Sequence, residues 1–79
     1  MKTRMQARNL RNRFRRNLRR TRLAKGLTQT AAAKRAGITQ GYWAQLESGA
    51  RVPRIDAIGR LAKALGVDPE ILFSGKNSS

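Results

Sequence analysis

Residues 26–49 read Gly26-Leu27-Thr28-Gln29-Thr30-Ala31-Ala32-Ala33-Lys34-Arg35-Ala36-Gly37-Ile38-Thr39-Gln40-Gly41-Tyr42-Trp43-Ala44-Gln45-Leu46-Glu47-Ser48-Gly49. Thr28 suits an N-cap, because its hydroxyl can accept a free first-turn N–H. The run Thr30 to Ala36 has high helix propensity from its four alanines until Gly37 stops it. Gln29 can supply polar contacts at that helix start. Thr39 offers a second N-cap, and Gln40 to Ser48 reads as helix until Gly49 ends it. Two short helices are therefore joined by a tight turn containing glycine.

Upstream, Ala7, Leu10, Phe14 and Leu18 recur at helical spacing, with arginine on the other faces. Gly26 stands where a left-handed C-terminal residue is wanted, and the cations before it suit the negative end of a helix dipole. These signals predict a first helix from about Phe14 to Lys25. Asn9, Asn12 and Asn17 are poor helix formers, and residues 1–13 read as a basic arm able to extend that helix on binding. Downstream, Gly49 to Pro53 reads as a loop, since proline biases Val52 away from helical dihedrals. Ile55, Ile58, Leu61, Ala62 and Leu65 then form an apolar helical stripe that Gly66 stops. Asp68 as cap and Pro69 at the first helical position open a last short turn through Phe73. The expectation is an all-α, compact five-helix domain over 14–75 without strands, and a polar tail over 76–79.

The chain carries 18 Lys and Arg against 4 Asp and Glu, a formal charge of +14 over 79 residues. Self-repulsion of that size points to a polyanionic partner. Eleven of the bases lie in residues 1–25, which hold no acid. A chain of this length buries only about 60% of its unfolded surface, enough for one small core and no second module. Without cysteine there is no disulfide framework or thiolate chemistry. Without histidine there is no zinc-finger ligand set and no neutral-pH general base. No stretch approaches the roughly 20 apolar residues of a membrane span, and the N-terminus lacks a signal peptide's apolar region. The composition thus points to a cytoplasmic protein with nucleic acid as its leading partner, one that is not an enzyme and uses no cofactor or metal.

The pattern Gly26-Leu27-Thr28-Gln29, Ala33, Gly37-Ile38-Thr39-Gln40, Trp43, Leu46-Glu47-Ser48-Gly49, Pro53 and Leu61-Ala62-Lys63-Ala64-Leu65-Gly66-Val67 resembles the phage repressor/Cro-like, or XRE, helix-turn-helix family over about residues 18–75. The resemblance implies a five-helix lambda-repressor-like domain that binds double-stranded DNA with its third helix in the major groove.

On the third helix, a turn of about 100° per residue puts Tyr42, Trp43 and Leu46 on a core arc. Gln40, Gly41, Ala44, Gln45 and Ser48 occupy the opposite arc, which carries no charge. A glutamine amide can pair bidentately with adenine N6 and N7, and small residues permit close approach to base edges. The resemblance carries base contact over to Gln40, Gly41 and Gln45, although the family more often has a polar side chain where Gly41 stands. It also implies that Gln29 contacts a phosphate and braces Gln40. A plain capping role is the alternative for Gln29. Thr28 and Thr39 are read as caps and backbone-positioning residues, with Tyr42 and Ser48 also facing the backbone. The family places cations such as Arg51 and Arg54 against phosphates or in the narrow groove between half-sites.

The resemblance also pairs Arg22 with Glu47, a partly buried bridge joining the first and third helices. Trp43 reads as core, its bulk offsetting the small Ala32, Ala33 and Ala36. The family commonly works as two-fold dimers, which implies a homodimer. Pro69 and Ile71 on the last turn are the expected seam. Three function classes follow. One is a repressor-type regulator on a palindromic operator. The second is a DNA-binding antitoxin or restriction controller acting with a partner. The third is RNA binding through the arginine-rich arm.

Overall fold

The computed structural model describes residues 2–74, with side chains from Asn9 onward. The polar tail expected at 76–79 lies outside the described residues. Four α-helices follow in order: α1 Lys2–Ala24, α2 Gln29–Ala36, α3 Gln40–Ser48 and α4 Ile55–Leu65. A single 3₁₀ turn, Pro69–Leu72, closes the described chain. No strand occurs among the described residues. The fifth helix expected from the sequence is thus this one 3₁₀ turn, too short to complete an α-helical pattern of hydrogen bonds.

α1 also departs from expectation. It begins at Lys2 rather than near Phe14, so the basic stretch is part of a continuous 23-residue helix. Arginine is among the better helix formers, and residues 2–24 contain neither Gly nor Pro. Asn12 is accommodated within the helix by accepting a bond from Arg15 Nε one turn on, at 3.2 Å.

The caps of the two central helices follow their sequence signals. Thr28 Oγ1 accepts from Ala31 N at 3.0 Å and Thr39 Oγ1 from Tyr42 N at 3.1 Å. Gly37 takes φ 73° in the turn between α2 and α3, where a side chain would meet the left-handed penalty. That turn lets α3 pack across α2. At the last turn Asp68 occupies the N-cap position but makes no side-chain capping bond.

The core gathers Phe14, Leu18, Leu46, Leu61, Leu65 and Leu72 around Trp43, which is fully buried. Ala32, Ala33 and Ala36 belong to the same cluster, so the small face of α2 lies where the indole needs room. Two residues of the expected apolar stripes are exposed, Leu10 on α1 and Ile55 on α4. Ile55 is 85% exposed, because it opens α4 at the solvent end of the loop before the helix reaches the core.

The 3₁₀ turn is held to α1 by two contacts. Phe14 and Phe73 rings lie 5.3 Å apart. Asn17, buried on α1, points its Nδ2 at Ser74 O (2.7 Å), Leu72 O (3.2 Å) and Ile71 O (3.3 Å). A side-chain donor here satisfies carbonyls that a one-turn helix leaves free. Asn17 therefore matters as a buried donor, where the sequence suggested only a poor helix former.

Candidate nucleic-acid interface

The N-terminal end of α2, the glycine turn and α3 form one face of the molecule. Gln40, Gly41, Gln45 and Ser48 are exposed along it, and Ala44 is half-buried. Trp43 and Leu46 point the other way into the core. Tyr42 is half-buried at the edge and packs against the core cluster. The nine-residue helix thus presents an uncharged strip of amides and small residues in a strongly basic molecule.

A hydrogen-bond chain runs from the buried interior to this strip. Arg22 Nε donates to Glu47 Oε2 at 2.6 Å and Arg22 Nη2 to Glu47 Oε1 at 3.1 Å, a two-pronged pair. Trp43 Nε1 donates to the same Oε2 at 2.6 Å, and Gln29 Nε2 donates to Oε1 at 3.0 Å. Gln29 Oε1 then accepts from Gln40 Nε2 at 2.8 Å. Because Gln29 gives an amide N–H to Glu47, its oxygen is turned outward to Gln40. Gln40 in turn is held with its own oxygen directed away from that bond. Arg22 also donates from Nη1 to Leu27 O at 2.7 Å, which ties the network to the chain just before α2.

Burial pushes the Glu47 carboxyl pKa up. The hydrogen bonds from Arg22, Gln29 and Trp43, with the Arg22 charge, outweigh that effect and hold it below its ordinary value. Among the described residues no buried side-chain polar atom lacks a partner. The family resemblance implied the Arg22–Glu47 and Gln29–Gln40 pairings separately. It did not show that Glu47 joins them, nor that Trp43 donates to the shared carboxylate. The four-residue spacing of Trp43 and Glu47 on one helix was the available signal.

The remaining candidates differ in how they are held. Thr28 and Thr39 are exposed but use their hydroxyl oxygens as caps, at the N-terminal ends of α2 and α3. The Ser48 hydroxyl donates to Gln45 O and accepts from Ala50 N, both at 3.2 Å, so it shapes the end of α3. The Arg51 guanidinium lies 5.8 Å from the centre of the Tyr42 ring, a cation–π contact that places its charge beside α3. Arg54 Nε stands 3.9 Å from Asp56 Oδ1, and both side chains are largely exposed, so this pair restrains Arg54 little. Pro69 and Ile71 are exposed on the last turn.

Gly41 has no packing reason. A Cβ built there would meet nothing within 4 Å, yet glycine inside a helix costs about 0.5–1 kcal/mol relative to alanine. Gly59 in α4 has the same open surroundings.

The chain belongs to the helix-turn-helix family: a family model described as a helix-turn-helix domain matches residues 13–72. Its likeness to the phage repressor/Cro-like members of that family agrees with what similar proteins show. YqaF of Bacillus subtilis, an uncharacterised HTH-type transcriptional regulator, is 38% identical over 56 residues, covering 71% of this chain and 74% of YqaF. Among solved structures, the restriction-modification controller protein C.AhdI from Aeromonas hydrophila superposes with a TM-score of 0.74 at 38% identity. That match covers 76% of this chain and 87% of C.AhdI. The clp gene regulator ClgR from C. glutamicum matches with a TM-score of 0.75 at 27% identity, covering 80% and 82% of the two chains.

Proposed function

We propose that this chain is a sequence-specific, double-stranded-DNA-binding transcriptional regulator that inserts α3 into the major groove. One observation carries the reading: the buried Glu47 fixes Gln29, and Gln29 fixes the exposed amide of Gln40. An amide that costs no further ordering on binding is suited to bidentate pairing with an adenine edge. Gln45 lies on the same strip and reads a neighbouring base pair, while Gly41 lets the helix backbone sit close to the groove floor. Thr28, Gln29, Thr39, Tyr42, Ser48, Arg51 and Arg54 contact the sugar-phosphate backbone around this strip. Residues 1–13, as a basic extension of α1, add sequence-independent phosphate contacts.

The protein acts as a homodimer on a palindromic operator, with Pro69 and Ile71 at the seam, and represses by covering a promoter. Such an agent works in the cytoplasm on the nucleoid and without a cofactor. No helix among the described residues is long and apolar enough to cross a membrane. Similarity to a restriction-modification controller protein gives a second reading, in which DNA binding regulates the gene of a partnered system.

The direct test is Gln40→Ala and Gln45→Ala on a selected binding site and on random duplex DNA. Each is expected to lose about 1–3 kcal/mol on the selected site, relax preference at one base pair and leave random DNA nearly unchanged. Equal losses on both DNAs would refute base readout.

A further inference from the structure

Beyond the α3 strip, the structure holds a groove of about 310 Å³ between α1, the loop after α3 and the last turn. Its apolar walls include Leu10, Phe14, Val52, Pro53, Ile58 and Phe73. The charged side chains that line it are Arg11, Arg15 and Arg51, and no acid lines it. The ion pairs formed among the described residues, Arg22 with Glu47 and Arg54 with Asp56, leave these three guanidiniums out. Leu10 is 46% exposed and Val52 58%, so the apolar surface continues over the groove's edge.

We propose that this groove docks an acidic amphipathic helix of a partner protein. An apolar trench of this size accepts two or three aliphatic side chains presented at helical spacing. Carboxylates on the flanks of such a helix meet Arg11, Arg15 and Arg51 in charge-assisted bonds. Two other occupants fit less well. Residues 75–79, Gly-Lys-Asn-Ser-Ser, bring no apolar side chain and one more cation. A second copy offers Ile71 flanked by the acids Asp68 and Glu70, but also the same three guanidiniums and another +14 of charge. The groove includes Gly49 at the C-terminal end of α3, about 13.5 Å along that helix from Gln40. A helix bound there sits beside the α3 strip rather than on it, and Arg11 and Arg51 are shared between the groove and the proposed DNA-contacting surface.

The test uses the full chain and a synthetic peptide of about fourteen residues, rich in Glu, with leucines three and four apart. The control peptide has the same composition, scrambled so that the leucines no longer share a face. The expected result is that the patterned peptide binds at least about tenfold more tightly than the scrambled one, a difference of about 1.4 kcal/mol. NMR shifts should concentrate at Leu10, Val52 and Phe73. Leu10→Glu and Val52→Glu, at exposed positions on two different elements, should each reduce that binding about tenfold or more while the helical circular dichroism is retained. The double variant Arg11→Gln/Arg15→Gln should weaken it as well. Equal binding of both peptides would overturn the proposal, because charge alone would then explain it. So would insensitivity to both glutamate substitutions. Self-association at rising concentration that Val52→Glu abolishes and the patterned peptide fails to displace would assign the groove to a second copy instead.

Discussion

Replacing Glu47 by Gln keeps the side chain's shape and removes its charge, and the structure permits the cost to be worked out. Oε2 accepts from Arg22 Nε and Trp43 Nε1, and Oε1 accepts from Arg22 Nη2 and Gln29 Nε2. Whichever way the new amide is turned, its NH2 faces two donors, so two of the four bonds are lost and Arg22 stays buried without a counter-charge. Breaking one partner of a buried pair costs about 3–5 kcal/mol. Arg22 keeps its bond to Leu27 O, which places the expectation at the lower end, about 3 kcal/mol. For a domain of this size that corresponds to a fall in Tm of about 12–24 °C. Urea denaturation with circular dichroism detection reads the difference.

The effect must also depend on pH with a definite sign. The folded Glu47 pKa lies below its ordinary value. The carboxylate's contribution is therefore complete above the ordinary carboxylate pKa and is lost as pH falls through the lowered folded value. The gap between the native chain and Glu47→Gln should be largest near neutrality and close progressively in acid. A loss below about 1 kcal/mol at neutral pH, or a gap that does not change with acid, would refute the reasoning that this carboxylate is the hub.

Other substitutions probe separate parts of the molecule. Asn17→Ala should destabilise by about 1–3 kcal/mol through the carbonyls of the last turn left without their donor, read by the same denaturation. Gly41→Ala and Gly59→Ala should each raise stability by about 0.5–1 kcal/mol; only the first should weaken binding to the selected DNA site, as measured by fluorescence anisotropy. Deleting residues 2–12 should flatten the plot of log K against log salt by about 0.9 per lost phosphate contact, and an unchanged slope would show that the segment is idle. Ile71→Glu should shift sedimentation toward the monomer and weaken operator binding without moving the melting temperature by more than a few degrees, about the effect of a surface change.

Much of the fold is written in local signals. The bounds of α2 and α3 follow from Thr28, Gly37, Thr39 and Gly49, each acting through its own backbone or its nearest helical turn. The position of Trp43 follows from helical periodicity and from the small side chains of α2. What escaped the sequence depends on distant parts of the chain. Asn17 looks like a weak helix former until the last turn brings three carbonyls to it. Ile55 fits an apolar stripe in one dimension, but the loop that delivers it leaves it in solvent. The N-terminal block, judged by its charge, suggested an arm, whereas its helix propensity carries α1 back to Lys2. The pairs at the candidate site were legible through family likeness. Their union at one carboxylate required the packing of α1, α2 and α3 against each other. The groove beside Leu10 and Val52 is likewise a product of tertiary packing, with no counterpart in any single motif.

The central claim is that α3 reads base edges from a fixed amide. Selection of binding sites from random duplex DNA at near-physiological salt, with structured RNA as competitor, tests it most directly. A two-fold symmetric motif that survives the RNA, with half-sites about one helical turn apart and an adenine whose enrichment is lost in Gln40→Ala, is the predicted result. Absence of any motif, or displacement of DNA by RNA, would contradict it and leave the arginine-rich α1 as the working surface.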